Sequence, residues 1–266
     1  MTIELPDEPI SVGRTADVYA LDDERVLKLL KPGFASTLID TEADMTRVAH
    51  AAGVSTPRVL DVVEVDGRSG IVFDRIEGDL LLDDIVLDAM RFREWAKVFA
   101  GAHVDVLSKS SHDLPDIRDE LDRKIRSADL PREKEQAALS VLGAAPEGDA
   151  VLHGDFHPGN IIFTTGDPVT IDWLDAAKGH GGADIARTLW LLSPATMSEA
   201  IPNKRVMTYI QGYFRRRYRK ICSSKLKIDG RVIDAWRLPV VAARLSEGIE
   251  REEPALRAEV DRLTGG

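Results

Sequence analysis

A single cysteine, Cys222, stands in 266 residues. It has no intramolecular partner, so no disulfide framework can hold this fold, and the thiol reads as a small buried or idle side chain. Basic residues are also in deficit: 35 Lys and Arg stand against 45 Asp and Glu, for a formal charge of −10. That balance weighs against nucleic acid or an anionic membrane surface as the main partner. It suits a cationic small molecule, although solubility explains it equally well. No apolar run approaches the ~20 residues of a membrane span. The opening MTIELPDEPI is acidic and has no apolar core, so a signal peptide is not expected. Internal repeats and low-complexity stretches are missing too. A cytoplasmic enzyme or binding protein is the expectation.

What is present is ordinary globular material, 44% hydrophobic and 30% charged, in a chain long enough for a sizeable core. Its character changes near residue 77. Before that point β-rich runs dominate, over Val12–Leu21, Arg25–Leu30, Val59–Val65 and Gly70–Ile76, with Asp22-Asp23 and Asp66-Gly67 as hairpin turns. One helix interrupts them, from about Ala35 to Ala52, closed by Gly53. After Glu77-Gly78 the pattern turns helical, over Asp88–Ser108, Asp116–Ser127, Arg132–Leu142, Asp184–Leu192, Ser198–Lys220, Arg231–Glu247 and Pro254–Leu263. Two short strands, near 160–164 and 168–172, sit inside this helical half. Residues 77–84, EGDLLLDD, read as a hinge between a lobe of residues 1–76 and a lobe of residues 77–266. The class is α+β.

The chemistry concentrates in residues 151–163, VLHGDFHPGNIIF. Apolar strand formers flank a polar cluster punctuated by Pro158-Gly159, the signature of a tight loop held between buried segments. Asp155 and Asn160 lie five apart, and Asp172 follows in VTIDWLDAA, twelve residues beyond Asn160. A hairpin from Ile161 to Ile171, turning at Thr165-Gly166-Asp167, brings Asp172 back beside Asn160. Two carboxylates and an amide oxygen then meet at the end of a β-pair. Hard oxygen ligands that leave positions open suit Mg²⁺. A separate carboxylate nearby suits orienting a hydroxyl or accepting its proton.

HGDFHPGN followed by IDW resembles the protein-kinase-like superfamily, and more closely its aminoglycoside phosphotransferase and choline kinase branch. The resemblance implies a bilobal fold with a small β-rich N-lobe and a larger, mostly helical C-lobe. It implies transfer of the ATP γ-phosphoryl group to a hydroxyl of a small molecule, with ATP and Mg²⁺ as cofactors. By it Asp155 is the catalytic aspartate, and Asn160 and Asp172 are the Mg²⁺ ligands. His153 and His157 are read as structural. Asp184, in GGADIA, resembles the helix-start aspartate that accepts catalytic-loop amide hydrogens, its plainer reading being an N-cap.

Val26 and Lys28 alternate in RVLKLL and so share one strand face. The resemblance makes Lys28 the partner of the α- and β-phosphates. Glu42 interrupts an apolar stripe of Leu38, Met45 and Ala49. A carboxylate on a buried face needs a partner, and Lys28 is the obvious one. Asp40 and Asp44 fall on solvated faces. SVGRTADVYAL resembles the shorter phosphate-covering loops of small-molecule kinases, with Gly13, and with Thr15 and Ala16 at the tip. Phe73 is placed at the border of an adenine pocket, with backbone groups of Asp74 and Ile76 pairing the base.

Only eleven residues separate Asp172 from Asp184, which leaves no room for a long activation segment and favours a small-molecule acceptor over a protein. Asp175 lies near the metal loop as a candidate metal, substrate or helper residue. Trp173, Trp190, Trp236 and Tyr213 are the aromatic candidates for an acceptor pocket built from 110–145 and the helices beyond 198. An atypical protein kinase, a non-catalytic nucleotide-binding module and, more remotely, a metallohydrolase are the competing readings.

Overall fold

The computed structural model describes residues 3–165, 167–196 and 204–265. The N-terminal part is one antiparallel sheet with a helix on it. Strands β1 (Ser11–Val12), β2 (Ala16–Ala20) and β3 (Arg25–Leu30) come first, then helix α1 (Thr37–Ala51), then β4 (Val59–Val65) and β5 (Arg68–Asp74). Their spatial order is β1-β2-β3-β5-β4. The run from Val12 to Leu21, expected as one strand, is two: Gly13, Arg14 and Thr15 turn the chain, and the Gly13 amide donates to Ala16 O at 2.9 Å. That turn is what makes a loop over the cleft possible. At the β4–β5 hairpin Asp66 and Gly67 both take positive φ, 52° and 71°, the conformation that Asp-Gly supplies in a type I′ turn.

Helix α1 ends as its sequence requires. Gly53 sits at φ 85° and the Val54 amide reaches back to Ala49 O at 3.1 Å, closing the last turn in a left-handed cap. Its buried face runs through Ile39, Glu42, Ala43, Thr46 and Ala49, one residue round from the expected Leu38–Met45 line. Sheet residues divide by alternation. Leu30 and Ile71 pack with Ile39 and Ala43 under α1, while Leu27, Leu29 and Val72 face the other way.

The chain then enters a mainly helical part. Residues 77–84, read as a short hinge between lobes, hold β6 (Asp79–Leu80) and the start of α2 (Leu81–Leu87). β6 pairs with a later strand, and Leu81 is fully buried. The helix expected over Asp88–Ser108 begins later, as α3 (Phe92–Leu107), behind a 3₁₀ turn at Ala89–Arg91. Helices α4 (Ile117–Ser127) and α5 (Arg132–Ala144) follow. Asp116 caps α4 by accepting the Arg118 amide at 2.8 Å. Next come β7 (Ala150–Leu152), β8 (Ile161–Phe163), β9 (Val169–Thr170) and β10 (Ala177–Gly179).

The chain closes with α6 (Gly181–Leu191), α7 (Lys204–Leu226), α8 (Gly230–Ala235), α9 (Arg237–Arg244) and α10 (Glu253–Thr264). The start of the helix expected from Ser198 lies outside the described residues. The helix expected over Arg231–Glu247 divides at Trp236, three residues before Pro239, whose missing N–H cannot continue the hydrogen-bond ladder. Phe99, Phe156, Trp173, Tyr218 and Trp236, all buried, centre the core of this part. No described helix is long and apolar enough to cross a membrane.

Candidate active site

One cleft of about 1420 Å³ runs between the sheet and the helical part. The loop that carries Asp155 forms its floor, and three features fix that loop. Phe156, in its middle, is buried between Phe99, at 4.9 Å between ring centroids, and His103, stacked at 3.9 Å. Gly154 takes φ 79°, and a Cβ there would lie 2.1 Å from Asp175 O, so only glycine fits. Asp184 accepts the His153 amide at 2.6 Å on Oδ2 and the Gly154 amide at 3.1 Å on Oδ1. It also faces His103 Nε2 at 3.0 Å. Asp184 is therefore a loop brace and not an N-cap, for His180 caps α6. Burial alone would raise the Asp184 pKa; the His103 contact and the His153 amide outweigh it and hold the carboxyl below its usual range.

His153 is fully buried. Its Nδ1 accepts the Asp155 amide at 3.2 Å, so Nε2 carries the proton it donates to Ile171 O at 2.9 Å. Burial pushes its pKa down, which favours this neutral ring. His157 Nδ1 accepts the Gly159 amide at 3.0 Å, and its Nε2 stands 3.5 Å from Asp155 Oδ2.

The β8–β9 pairing sets Ile161 against Thr170, and the Ile171 amide donates to Asn160 O at 3.0 Å. The hairpin thus brings Asp172 to the Asn160 end of the cleft, although Gly166 at its turn lies outside the described residues. Asp172 holds φ 68°, an uncommon conformation for aspartate. The Asn160 side-chain amide donates to Asp155 O at 3.0 Å. That bond fixes which end of the carboxamide is oxygen. Asn160 and Asp172 are oxygen donors of the hardness Mg²⁺ takes, and two protein ligands are enough for an ion that keeps water and phosphate in its other positions. Among the described residues no group of three or more His, Cys, Asp or Glu is placed to hold a metal ion.

Lys28 reaches the same point from the sheet. Its Nζ lies 2.7 Å from Glu42 Oε1 and 3.0 Å from Asp172 Oδ1. Burial by itself would lower the Lys28 pKa; Glu42 and Asp172 more than offset it and hold the amine protonated. Val26, Phe73 and Ile76 line the cleft beside it, as do Gly13 and Thr15 at its rim. The Asp74 amide is engaged by Arg58 O at 3.1 Å and its carboxylate by Arg58 Nε at 2.6 Å.

Sequence reasoning missed Arg187. It is buried on α6, donates from Nε to Gly154 O and from Nη1 to Glu247 Oε1 at 2.7 Å, and sits 3.8 Å from Asp155 Oδ1. An arginine in the apolar run of ADIARTLWL, three residues after Asp184, was the available signal. Burial would raise the Asp155 pKa, but His157 and Arg187 hold it well below the usual carboxylate value. The aromatic candidates fare differently. Trp236 and Trp190 belong to the core, and the Trp190 ring N–H donates to Glu252 at 2.9 Å. Tyr213 packs edge-on against Phe92. Of the four only Trp173 borders the cleft, and it spends its N–H on Thr56. Asp175 is paired with Lys124 at 3.2 Å.

A model of the phosphotransferase enzyme family matches residues 7–221. No curated protein matches the chain. Among solved structures, aminoglycoside phosphotransferase APH(4)-Ia, a thermostable mutant in ternary complex with AMP-PNP and hygromycin B, is similar at 17% identity. The match covers 98% of this chain and 94% of that one, with a TM-score of 0.65. ADP-bound APH(2'')-Ib is similar at 18% identity, with 98% and 93% coverage and a TM-score of 0.59. APH(3'')-Id from Streptomyces rimosus, in complex with ADP and streptomycin, is similar at 20% identity, with 86% and 92% coverage and a TM-score of 0.53. At these identities the likeness is one of fold: a sheet-bearing part and a helical part of kinase-like type.

Proposed function

The chain belongs to the phosphotransferase enzyme family, and on that footing we propose that it transfers the γ-phosphoryl group of ATP to a hydroxyl of a small molecule. One observation carries the reading. Lys28, anchored by Glu42, meets Asp172 at 3.0 Å across the cleft that also contains Asp155 and Asn160. The division of labour follows the lobes proposed at 1–76 and 77–266.

Lys28 sets a fixed positive charge against the α- and β-phosphates. Val26 and Phe73, opposite each other on one face of the sheet, cover one side of the base, while the Asp74 carbonyl and the Ile76 amide pair with its edge. Gly13 and Thr15 cover the phosphates. Asn160 and Asp172 are the residues that would hold Mg²⁺, which supplies charge neutralisation along the triphosphate when bound. Asp155, kept ionised by His157 and Arg187, orients the acceptor hydroxyl and takes its proton as the new O–P bond forms and ADP leaves. The short path from Asp172 through β10 to α6 supports a small acceptor, because no long segment is present there to dock a peptide.

The two aspartates separate the roles experimentally. Asp155→Asn is expected to keep Mg·ATP binding by calorimetry and to lose roughly 10²–10⁴-fold in turnover. Asp172→Ala is expected to lose the Mg²⁺-dependent part of nucleotide binding. The reverse pattern would overturn the assignment. A screen of ATP consumption over hydroxylated metabolites finds the acceptor class.

A further inference from the structure

Arg187 donates from Nε to the carbonyl of Gly154, yet it does not close on the carboxylate beside it. Its Nη2 stands 3.8 Å from Asp155 Oδ1, beyond hydrogen-bond distance. A guanidinium this near a carboxylate gains by making that bond. What holds it off lies on its other side. Arg187 Nη1 donates to Glu247 Oε1 at 2.7 Å. Burial alone would lower the Arg187 pKa; Glu247 is foremost among the charges that raise it, ahead of Asp175 and Asp155. The principal partner of this guanidinium is Glu247, and not Asp155.

Glu247 stands in the 3₁₀ turn after α9 and is itself fixed. Its second oxygen, Oε2, accepts Arg244 Nη1 at 2.9 Å. Arg244 is gripped in turn by Glu252, from Nε at 2.6 Å and from Nη2 at 2.8 Å. Glu252 also accepts the Trp190 ring N–H at 2.9 Å. The Arg244 and Glu252 side chains are 6% and 1% exposed, and separating such a buried pair would leave each charge without a partner. The contacts run without a break from Trp190 on α6, through Glu252, Arg244 and Glu247, to Arg187 and the loop of Asp155.

We propose that Glu247 is a positioning residue for phosphoryl transfer: it holds Arg187 back from Asp155, so that Oδ1 stays open to the acceptor hydroxyl. At 3.8 Å the guanidinium still favours the ionised carboxylate through its field, without occupying the oxygen that must meet the hydroxyl. Loss of Glu247 frees Nη1 while Gly154 O still tethers Nε. The buried guanidinium then needs another anion. Asp175 is taken by Lys124 at 3.2 Å, which leaves Asp155. This assignment rests on the phosphotransferase reading and adds to it a residue far in sequence from HGDFHPGN.

Wild type, Glu247→Ala and Glu247→Gln are compared as full chains by crystallography, and by ADP release from Mg·ATP with water as the acceptor. Glu247→Ala is expected to bring Arg187 within about 3.2 Å of Asp155 Oδ1. It is expected to lower kcat by about tenfold or more, with KM for ATP unchanged within about twofold. Glu247→Gln keeps a neutral acceptor for Arg187 and should fall between the two; it carries the test if Glu247→Ala does not fold. The proposal is overturned if Arg187 is already bonded to Asp155 in the wild type, or if the gap stays open in the variant. It is overturned too if the gap closes and kcat does not fall, or if the loss appears in KM instead. Where turnover of water by the wild type is too slow to measure, the position of Arg187 in the variant decides alone. Failure of the phosphotransferase reading shows separately, as absence of Mg·ATP binding by calorimetry.

Discussion

Lys28 and Glu42 are 14 residues apart in sequence and 2.7 Å apart in space. Each is nearly buried, so each charge depends on the other. Lys28→Ala is expected to lower kcat/KM for ATP by roughly 10²–10³-fold, the range for removing one preorganised electrostatic contact. Glu42→Gln should lower it less, and the double mutant should fall short of additivity by at least ~0.5 kcal/mol. Strict additivity would mean the contact does not matter to turnover. Arg187 makes a pH prediction. Its guanidinium is one of the charges that hold the Asp155 pKa down. Removing it in Arg187→Met lets that pKa rise, so activity is lost at a higher pH on acidification. The acid limb of the kcat/KM profile should move upward by measurable tenths or more, with Arg187→Lys moving it less; an unmoved limb contradicts the contact at 3.8 Å.

At the level of elements, the connection between sheet and helices, read from the sequence as a short hinge, is tied into a strand pair. β6 pairs Asp79 with Phe163 and Leu80 with Ile162, so the segment leaving the sheet is hydrogen-bonded to the hairpin that carries Asp172. Gly78 makes the crossing. It sits at φ 154°, and a Cβ there would come 2.5 Å from Phe163 O and 2.9 Å from the Ile162 Cγ2. Gly78→Ala therefore meets both a strained backbone and a clash, and should cost about 1–3 kcal/mol in urea unfolding. A cost of a few tenths would show that β6 shifts freely. The paired turn of Asp66-Gly67 and the cap at Gly53 were legible because their chemistry is local. The pairing of β6 was not, because a two-residue strand has no periodicity to read.

For the whole molecule, the buried polar centre sets an acid limit on stability. Asp184, with its pKa lowered in the fold, contributes stability that is full above the unfolded carboxylate value of about 3.9 and is lost as pH falls through the folded one. His153 acts earlier. Its folded pKa is lowered by burial, so below about 6.5 the unfolded chain takes up a proton that the native ring refuses. Stability therefore begins to fall just below neutrality, and His180, also lowered by burial, adds in the same window. Thermal unfolding from pH 8 to 4 should show Tm level above about 7 and declining from about 6.5 downward. A level Tm down to pH 5 would argue against the buried neutral His153.

By itself the sequence determined the local parts. HGDFHPGN between apolar strands specified a tight loop, RVLKLL a strand with Lys28 on one face, and Gly53 the end of a helix. These follow from periodicity, turn chemistry and motif spacing, all of which act over a few residues. Tertiary structure decided what those parts meet. Arg187 against Asp155, Glu252 sealed by Arg244, and Trp236 withdrawn into the core are contacts that the packed chain makes and no motif announces. The acidic composition was plain, yet whether those acids remain free to bind a cation depends on which bases fold against them. Pairing of charges is a property of distance in space, and only the packed chain sets those distances.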